Sequence, residues 1–496
     1  MISKNFIIFM TDQHSRDFLS CYKNPIVKTP NLDKLAARGT VFENASTNSP
    51  ICVSARACFA TGEYVHQNKC WDNAIAYKGK TQSWGHFLQK ENIDVISIGK
   101  LHYRSEKDET GFDEQILPMH IANGIGDIMG SIRPNLPERQ QSRKFSESIG
   151  PGETEYTKYD QSISKRACEW LLDRSHNKKN KEPFLLYVSF IAPHFPLIVP
   201  KEYYDFYKDI DIPALKKFNP DLVHHPWWVA FNKSITFDKY FRNDEHRREA
   251  IISYLGLCTF VDKLIGDVLE TLEATELFKT TNILFLSDHG ENLGARGLWG
   301  KSVMYEESVG IPMILTGDNV PKGSIVKTPV SLIDVFPSIL DAFNIKKPDD
   351  INGCSLFDIA NTYEDTERVV FSEYHGAGAI SGAFMLRDGK YKLIYYVDFE
   401  PELYDLHQDP EEMVNLATNE DYADILENYV IKLFDITNPN EVNKEALAAQ
   451  AIVVEKNGGV TKVLERGGLN GTPVPGGRST RIKHISESEN NYSLDK

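Results

Sequence analysis

No apolar run in this 496-residue chain approaches the roughly 18 residues that span a bilayer, which excludes a helical membrane protein. Cysteine is sparse and irregular, with seven residues at 21, 52, 58, 70, 168, 258 and 354 and no CxxC pair. An odd, scattered set gives neither a disulfide framework nor a zinc knuckle. Positive charge is the minority sign. The 55 Lys and Arg stand against 70 Asp and Glu, a net charge of −15 that argues against nucleic acid as the main partner. Internal repeats are absent. The opening run Phe6-Ile7-Ile8-Phe9-Met10 is too short for a signal-peptide core and lacks a small-residue cleavage site, so a cytoplasmic enzyme is expected, or a periplasmic one if a leader has been removed.

What is present is ordinary globular material, 41% hydrophobic and 25% charged, enough for one large domain with an appendage. Continuous apolar strands alternate with helical patterns. Strands are predicted over Asn5 to Met10, Val95 to Ile98, Pro183 to Phe190 and Asn282 to Ser287, and helices from Thr29, over 160–174 and over about 248–275. Such alternation implies parallel strands covered on both faces, with ligand groups gathered past their carboxyl ends. Asp12, Lys100, His194 and Asp288 all occupy that position. After about 365 the texture changes to short strands around Asp388-Gly389, a small antiparallel subdomain. From about 441, glycine pairs and Thr472-Pro473-Val474-Pro475 predict an extended arm. The expected division is 1–365, 366–440 and 441–496.

Two strand ends carry the strongest chemical signal. Asp12-Gln13 and Asp288-His289 together offer a mostly oxygen shell for a hard divalent cation; the oxygens suit calcium and the imidazole admits manganese. Singly, a strand-terminal Asp is as well explained as a helix cap. Cys52-Val53-Ser54-Ala55-Arg56 places a nucleophile and an arginine on one helical face at a helix N-terminus, where free N–H groups favour an anion. An isolated cysteine would otherwise read as packing.

Cys52-x-x-x-Arg56, with Ala57 to Thr61-Gly62 beyond it, resembles the signature of type I sulfatases of the alkaline-phosphatase superfamily. Asp12-Gln13, Gly99-Lys100-Leu101-His102, Pro193-His194, Asp288-His289-Gly290 and Gly300-Lys301 follow in that family's order. The likeness covers residues 5–345 well and the C-terminal part loosely. Asp12-Gln13, His289 and Trp71-Asp72-Asn73 are most similar to the branch of choline sulfatases and phosphonate monoester hydrolases.

The resemblance implies an α/β fold, an alkaline-phosphatase-like, mostly parallel sheet sandwiched by helices, plus the small antiparallel subdomain. It implies a sulfuric ester hydrolase acting on a small sulfated substrate or oligosaccharide, with carbohydrate sulfate favoured. By the same resemblance Cys52 would be oxidised to formylglycine by a maturation enzyme, and one divalent metal, calcium before manganese, would be held by Asp12, Gln13, Asp288 and His289. Arg56, Lys100 and Lys301 would surround the anion, His102 assist the nucleophile, His194 with Lys301 serve the leaving group, and Asn73 contact the anion. The arm would reach a neighbouring subunit in a homo-oligomer. One departure is Ser54, where maturation enzymes usually meet Pro or Ala. A phosphonate monoester or phosphodiester hydrolase with the same site, and an inactive anion-binding relative, stay open as alternatives. An aromatic insertion around His224-His225-Pro226-Trp227-Trp228 is expected to roof the site.

Overall fold

The structure is a computed structural model that describes residues 4–482 except 140, 177–182, 214, 217–223 and 480. Eight strands form the central sheet: β1 (Asn5–Asp12), β2 (Thr40–Phe42), β3 (Asp94–Lys100), β4 (Glu114–Met119), β5 (Phe184–Pro193), β6 (Thr281–Ser287), β7 (Met313–Thr316) and β8 (Ser324–Val326). Their order is β8-β2-β7-β6-β1-β5-β3-β4. Only β7 runs antiparallel to its neighbours.

Period-two alternation explains why the strands read as unbroken apolar runs. Ile7 and Phe9 of β1 enter one core cluster, while Phe6, Ile8 and Met10 enter another on the opposite face. The first cluster is closed by α1 (Pro30–Ala37) and the long helices labelled below. The second holds α2 (Cys52–Thr61). Helix α3 (Glu155–His176) buries Ile163, Ala167 and Leu171 at i, i+4, i+8, as the spacing predicts. Helix α4 is Pro226–Ile235 and α5 is Asp244–Ala274.

Register does the positioning. Thr11 pairs with Ser287, so Asp12 and Asp288 leave the sheet side by side. Asp12 also pairs with Pro193, and Gly99 with Ser189, which brings His194 and Lys100 to the same edge. All lie at or just past the carboxyl ends of central strands.

Beyond the sheet, β9 (Val370–Tyr374), β10 (Ala383–Arg387), β11 (Tyr391–Tyr396) and β12 (Glu402–Asp405) make the antiparallel four-stranded sheet, covered by α6 (Ala423–Ile436). Two expectations are corrected here. The first part of the tail is not extended: α7 (Pro439–Lys456) and α8 (Gly459–Arg466) occupy it, while 483–496 lie outside the described residues. Val442, Ala446, Gln450 and Val454 form a buried stripe along α7, and Gly458 with φ +100° merely separates the helices. Of the aromatic insertion, His224 to Trp228 are not among the residues that line the cavity, which α4 reaches through Phe231 and Ile235, and 217–223 lie outside the described residues. Trp227 and Trp228 belong to α4 and are buried; Trp227 donates to the Ser381 carbonyl at 3.1 Å and stacks on Tyr396.

Gly99 is the tightest point of this arrangement. Its φ is +104°, and a Cβ there would lie 2.2 Å from the Ser189 carbonyl oxygen of β5. Gly99→Ala is therefore expected to lower thermal stability, with roughly 1–3 kcal/mol from backbone strain alone. Unchanged unfolding of that variant in a calorimeter would contradict the register argument.

Candidate active site

Cys52 opens α2 and is 1% exposed. Its Sγ lies 3.2 Å from His289 Nε2, 3.3 Å from Lys301 Nζ and 3.5 Å from Asp12 Oδ1. Burial, reinforced by Asp12, pushes the thiol up to about 11, so as cysteine it stays protonated.

Asp12 and Asp288 are fully buried neighbours, and the cations around them are specific. Lys100 Nζ bonds Asp12 Oδ2. Arg56 Nε donates to Asp288 Oδ2 at 2.8 Å and its Nη2 to Asp12 Oδ2 at 3.4 Å. Its Nη1 is taken by the Lys100 carbonyl and Ser189 Oγ at 2.8 and 2.9 Å. Burial opposes charge on Asp12, yet Lys100, Lys301 and Arg56 outweigh it and hold the carboxyl well below the usual range. Arg56, expected to surround the anion, faces the carboxylates and the sheet backbone and is not among the residues that line the cavity.

Asp12, Cys52, Asp288 and His289 place ligand atoms within 4.8 Å of one another. His289 Nδ1 donates to the Gly290 carbonyl at 3.0 Å, which leaves Nε2 as a lone pair. That lone pair stands 3.6 and 3.5 Å from Asp12 Oδ1 and Asp288 Oδ1. Acceptors converging on acceptors in a buried space are what a divalent cation reconciles, so the donor set fits a metal. Gln13, held at φ +66°, sits at the edge of the cluster, where its Oε1 accepts from Lys301 Nζ at 2.6 Å.

Above the cluster is a cavity of about 640 Å³ lined by Cys52, Asn73, Lys100, His102, His194 and Lys301 among others. Lys301 is half-buried, and its contact with Cys52 together with the charges of Asp12 and Asp288 more than offsets the desolvation and raises its pKa. His194 Nδ1 contacts the Phe195 carbonyl at 2.6 Å, leaving Nε2 as its working atom; burial and Lys301 hold the ring neutral. Asn73 Oδ1 accepts from the Val53 N–H at 3.3 Å and so caps the helix that carries Cys52. Ser54 Oγ donates inward to the Cys70 carbonyl at 2.6 Å.

Two positioning carboxylates escaped the sequence reading. Glu291 is fully buried; its Oε1 accepts from Leu293 N and Gly300 N at 2.8 and 2.6 Å, and its Oε2 from Gln13 Nε2, so it ties Gln13 to the Lys301 loop. Asp160 of α3 accepts from Ile191 N and Ala192 N at 2.8 and 2.7 Å, fixing the turn into His194. Glu291 lies two residues beyond His289, the only sequence cue either offers.

Arg56→Met would leave two buried carboxylates without their shared partner. The expected loss is about 3–5 kcal/mol in unfolding free energy, read by denaturant titration of the metal-free protein. A loss under about 1 kcal/mol would show that Arg56 is not the structural counter-charge.

Residues 4–345 match the sulfatase family, and 294–438 match the C-terminal region of N-sulphoglucosamine sulphohydrolase. A choline-sulfatase from Rhizobium meliloti (strain 1021) is 29% identical over 425 residues, 84% of this chain and 82% of that protein. A solved structure in complex with its substrate D-glucosamine-2-N,6-O-disulfate aligns at TM-score 0.70 and 22% identity, covering 88% of this chain and 99% of the other. The phosphonate monoester hydrolase of Agrobacterium radiobacter aligns at TM-score 0.70 and 20% identity, covering 87% and 95%. At these identities the two structures share the fold.

Proposed function

The chain belongs to the sulfatase family, whose reaction is sulfate-ester hydrolysis, and we propose that it performs this reaction at Cys52 after conversion of that residue to formylglycine. The observation that carries the proposal is Cys52 itself. It starts a helix on the floor of the cavity, within 3.5 Å of Asp12, His289 and Lys301. As a thiol it is buried and protonated, a poor nucleophile. Hydrated formylglycine supplies two hydroxyls on one carbon, so sulfate can later leave without water attacking sulfur. Conversion calls for a maturation enzyme that accepts Ser54.

Asp12, Gln13, Asp288 and His289 would hold one divalent cation, calcium before manganese, and it would draw charge from the sulfate oxygens and acidify an oxygen nucleophile. Every other part is built from the chain. Lys100 and Lys301 fix two positive charges where the transferring group gains negative charge, each worth several kcal/mol in a site shielded from water. Lys301 is charged and holds a proton near the reacting atoms. His194 presents Nε2 to the cavity side, and the charge of the bound ester opposes the burial that keeps the ring neutral, which fits it to serve the leaving oxygen. Phe145, Phe195 and Phe237 wall the site against water.

For the alcohol, we favour a carbohydrate sulfate or another small sulfated molecule. The C-terminal match and the relative solved with its disulfated glucosamine support that choice. The net charge of −15 argues in the same direction against intact polyanions, which it would repel at long range.

Protein co-expressed with a maturation enzyme should turn over an aryl sulfate and carry an aldehyde at residue 52 by peptide mass spectrometry. Cys52→Ala should lower the rate at least about a thousandfold. Faster turnover of an aryl phosphonate monoester than of the sulfate would move the assignment to that chemistry. An unmodified thiol with no turnover would leave an anion-binding protein.

A further inference from the structure

The tail does more than cover the subdomain. After α8, Gly467 with φ +76° turns the chain back, and β13 (Gly468–Leu469) pairs with β14 (Arg481–Ile482). Between these strands the chain runs along the same cavity that Cys52 and Lys301 line, contributing Asn470, Thr472 and Val474 to its wall. Val474 also packs against the main core.

Thr472 is fixed at two points. Its carbonyl accepts from Tyr156 Oη at 2.6 Å, and its Oγ1 lies 2.8 Å from His102 Nε2. Gly471 makes the approach feasible, since its φ is +138° and a Cβ there would meet Tyr156 Oη at 3.0 Å. His102 is itself constrained, with a φ of +58° and 5% exposure. Its Nδ1 is buried and has no hydrogen-bond partner. An imidazole has two ring nitrogens and, when neutral, one proton to divide between them. With Nε2 engaged by the hydroxyl, Nδ1 is the nitrogen left for a group bound in the cavity.

We propose that Thr472 is a positioning residue for the hydrolytic reaction: its hydroxyl holds His102 through Nε2 and so sets which ring nitrogen, in which protonation state, serves the site. The C-terminal tail thereby completes its own chain's active site. This rests on the assignment of the reaction to the Cys52 cavity. A threonine whose only task was to anchor the tail would need its carbonyl bond to Tyr156 and the packing of Val474, but not its hydroxyl.

The test compares Thr472→Val, which keeps the shape and removes the hydroxyl, with Thr472→Ser, which keeps the hydroxyl. With an aryl sulfate, the valine variant is expected to lose about tenfold in kcat with KM within about threefold, roughly one lost hydrogen bond, while serine stays within about threefold of wild type. A second readout does not depend on turnover. Histidine-selective nitrogen NMR of the full chain, with His102 assigned from His102→Gln, should show a changed ring-nitrogen pattern in the valine variant and the wild-type pattern in serine. Identical His102 signals in wild type and the valine variant, or serine as impaired as valine, would overturn the proposal. A wild-type protein inactive on every sulfate ester would overturn the assigned reaction instead, and the NMR comparison would still decide the role of Thr472.

Discussion

Two carboxylates that cannot be buried together without help govern this structure. The parallel register of β1 and β6 puts Asp12 beside Asp288, both inaccessible to solvent. Like charges in that setting repel strongly and lose their hydration, so the surrounding chain has to supply positive charge. Arg56 reaches both from below, Lys100 grips Asp12, and Lys301 stands across Cys52. The lone pair of His289 adds a further acceptor beside the two carboxylates, with the Cys52 thiol next to it. The same arrangement that is costly in the folded chain is one that a bound cation would relieve.

The second consequence concerns the charge of the whole molecule. An acidic body with −15 net charge places Arg56 and Lys100 together, buried, at the ends of the central strands. Binding of an anion is therefore local, driven by contact rather than by attraction over a distance. This suits a compact ester that enters the cavity and is released from it as a free anion. It also separates two kinds of residue that look alike in sequence: Arg56 serves the protein's own carboxylates, whereas Lys100 and Lys301 face the cavity.

Much of the fold was legible because the signals were local. Unbroken apolar strands, helices with four-residue spacing and polar residues just past strand ends follow from period and burial, and they brought Asp12, Lys100, His194 and Asp288 to one edge. What escaped depends on distant contacts. The spacing of Cys52 and Arg56 puts both on one turn of α2 but does not say that two aspartates reach the guanidinium from other strands. In the tail, glycine pairs masked the regular stripe Val442, Ala446, Gln450 and Val454. Trp227 and Trp228 carry no mark of the sheet that covers them. Thr472 and His102 meet across 370 residues, and no local pattern announces such a pair.

Metal content bears most directly on the claim that Asp12 and Asp288 are held together for a cation. Elemental analysis of the purified full-length protein should find one divalent ion per chain, and Asp288→Asn should lose it while remaining folded. A wild-type protein that carries no divalent ion and keeps its full sulfatase activity through exhaustive chelation would contradict the account.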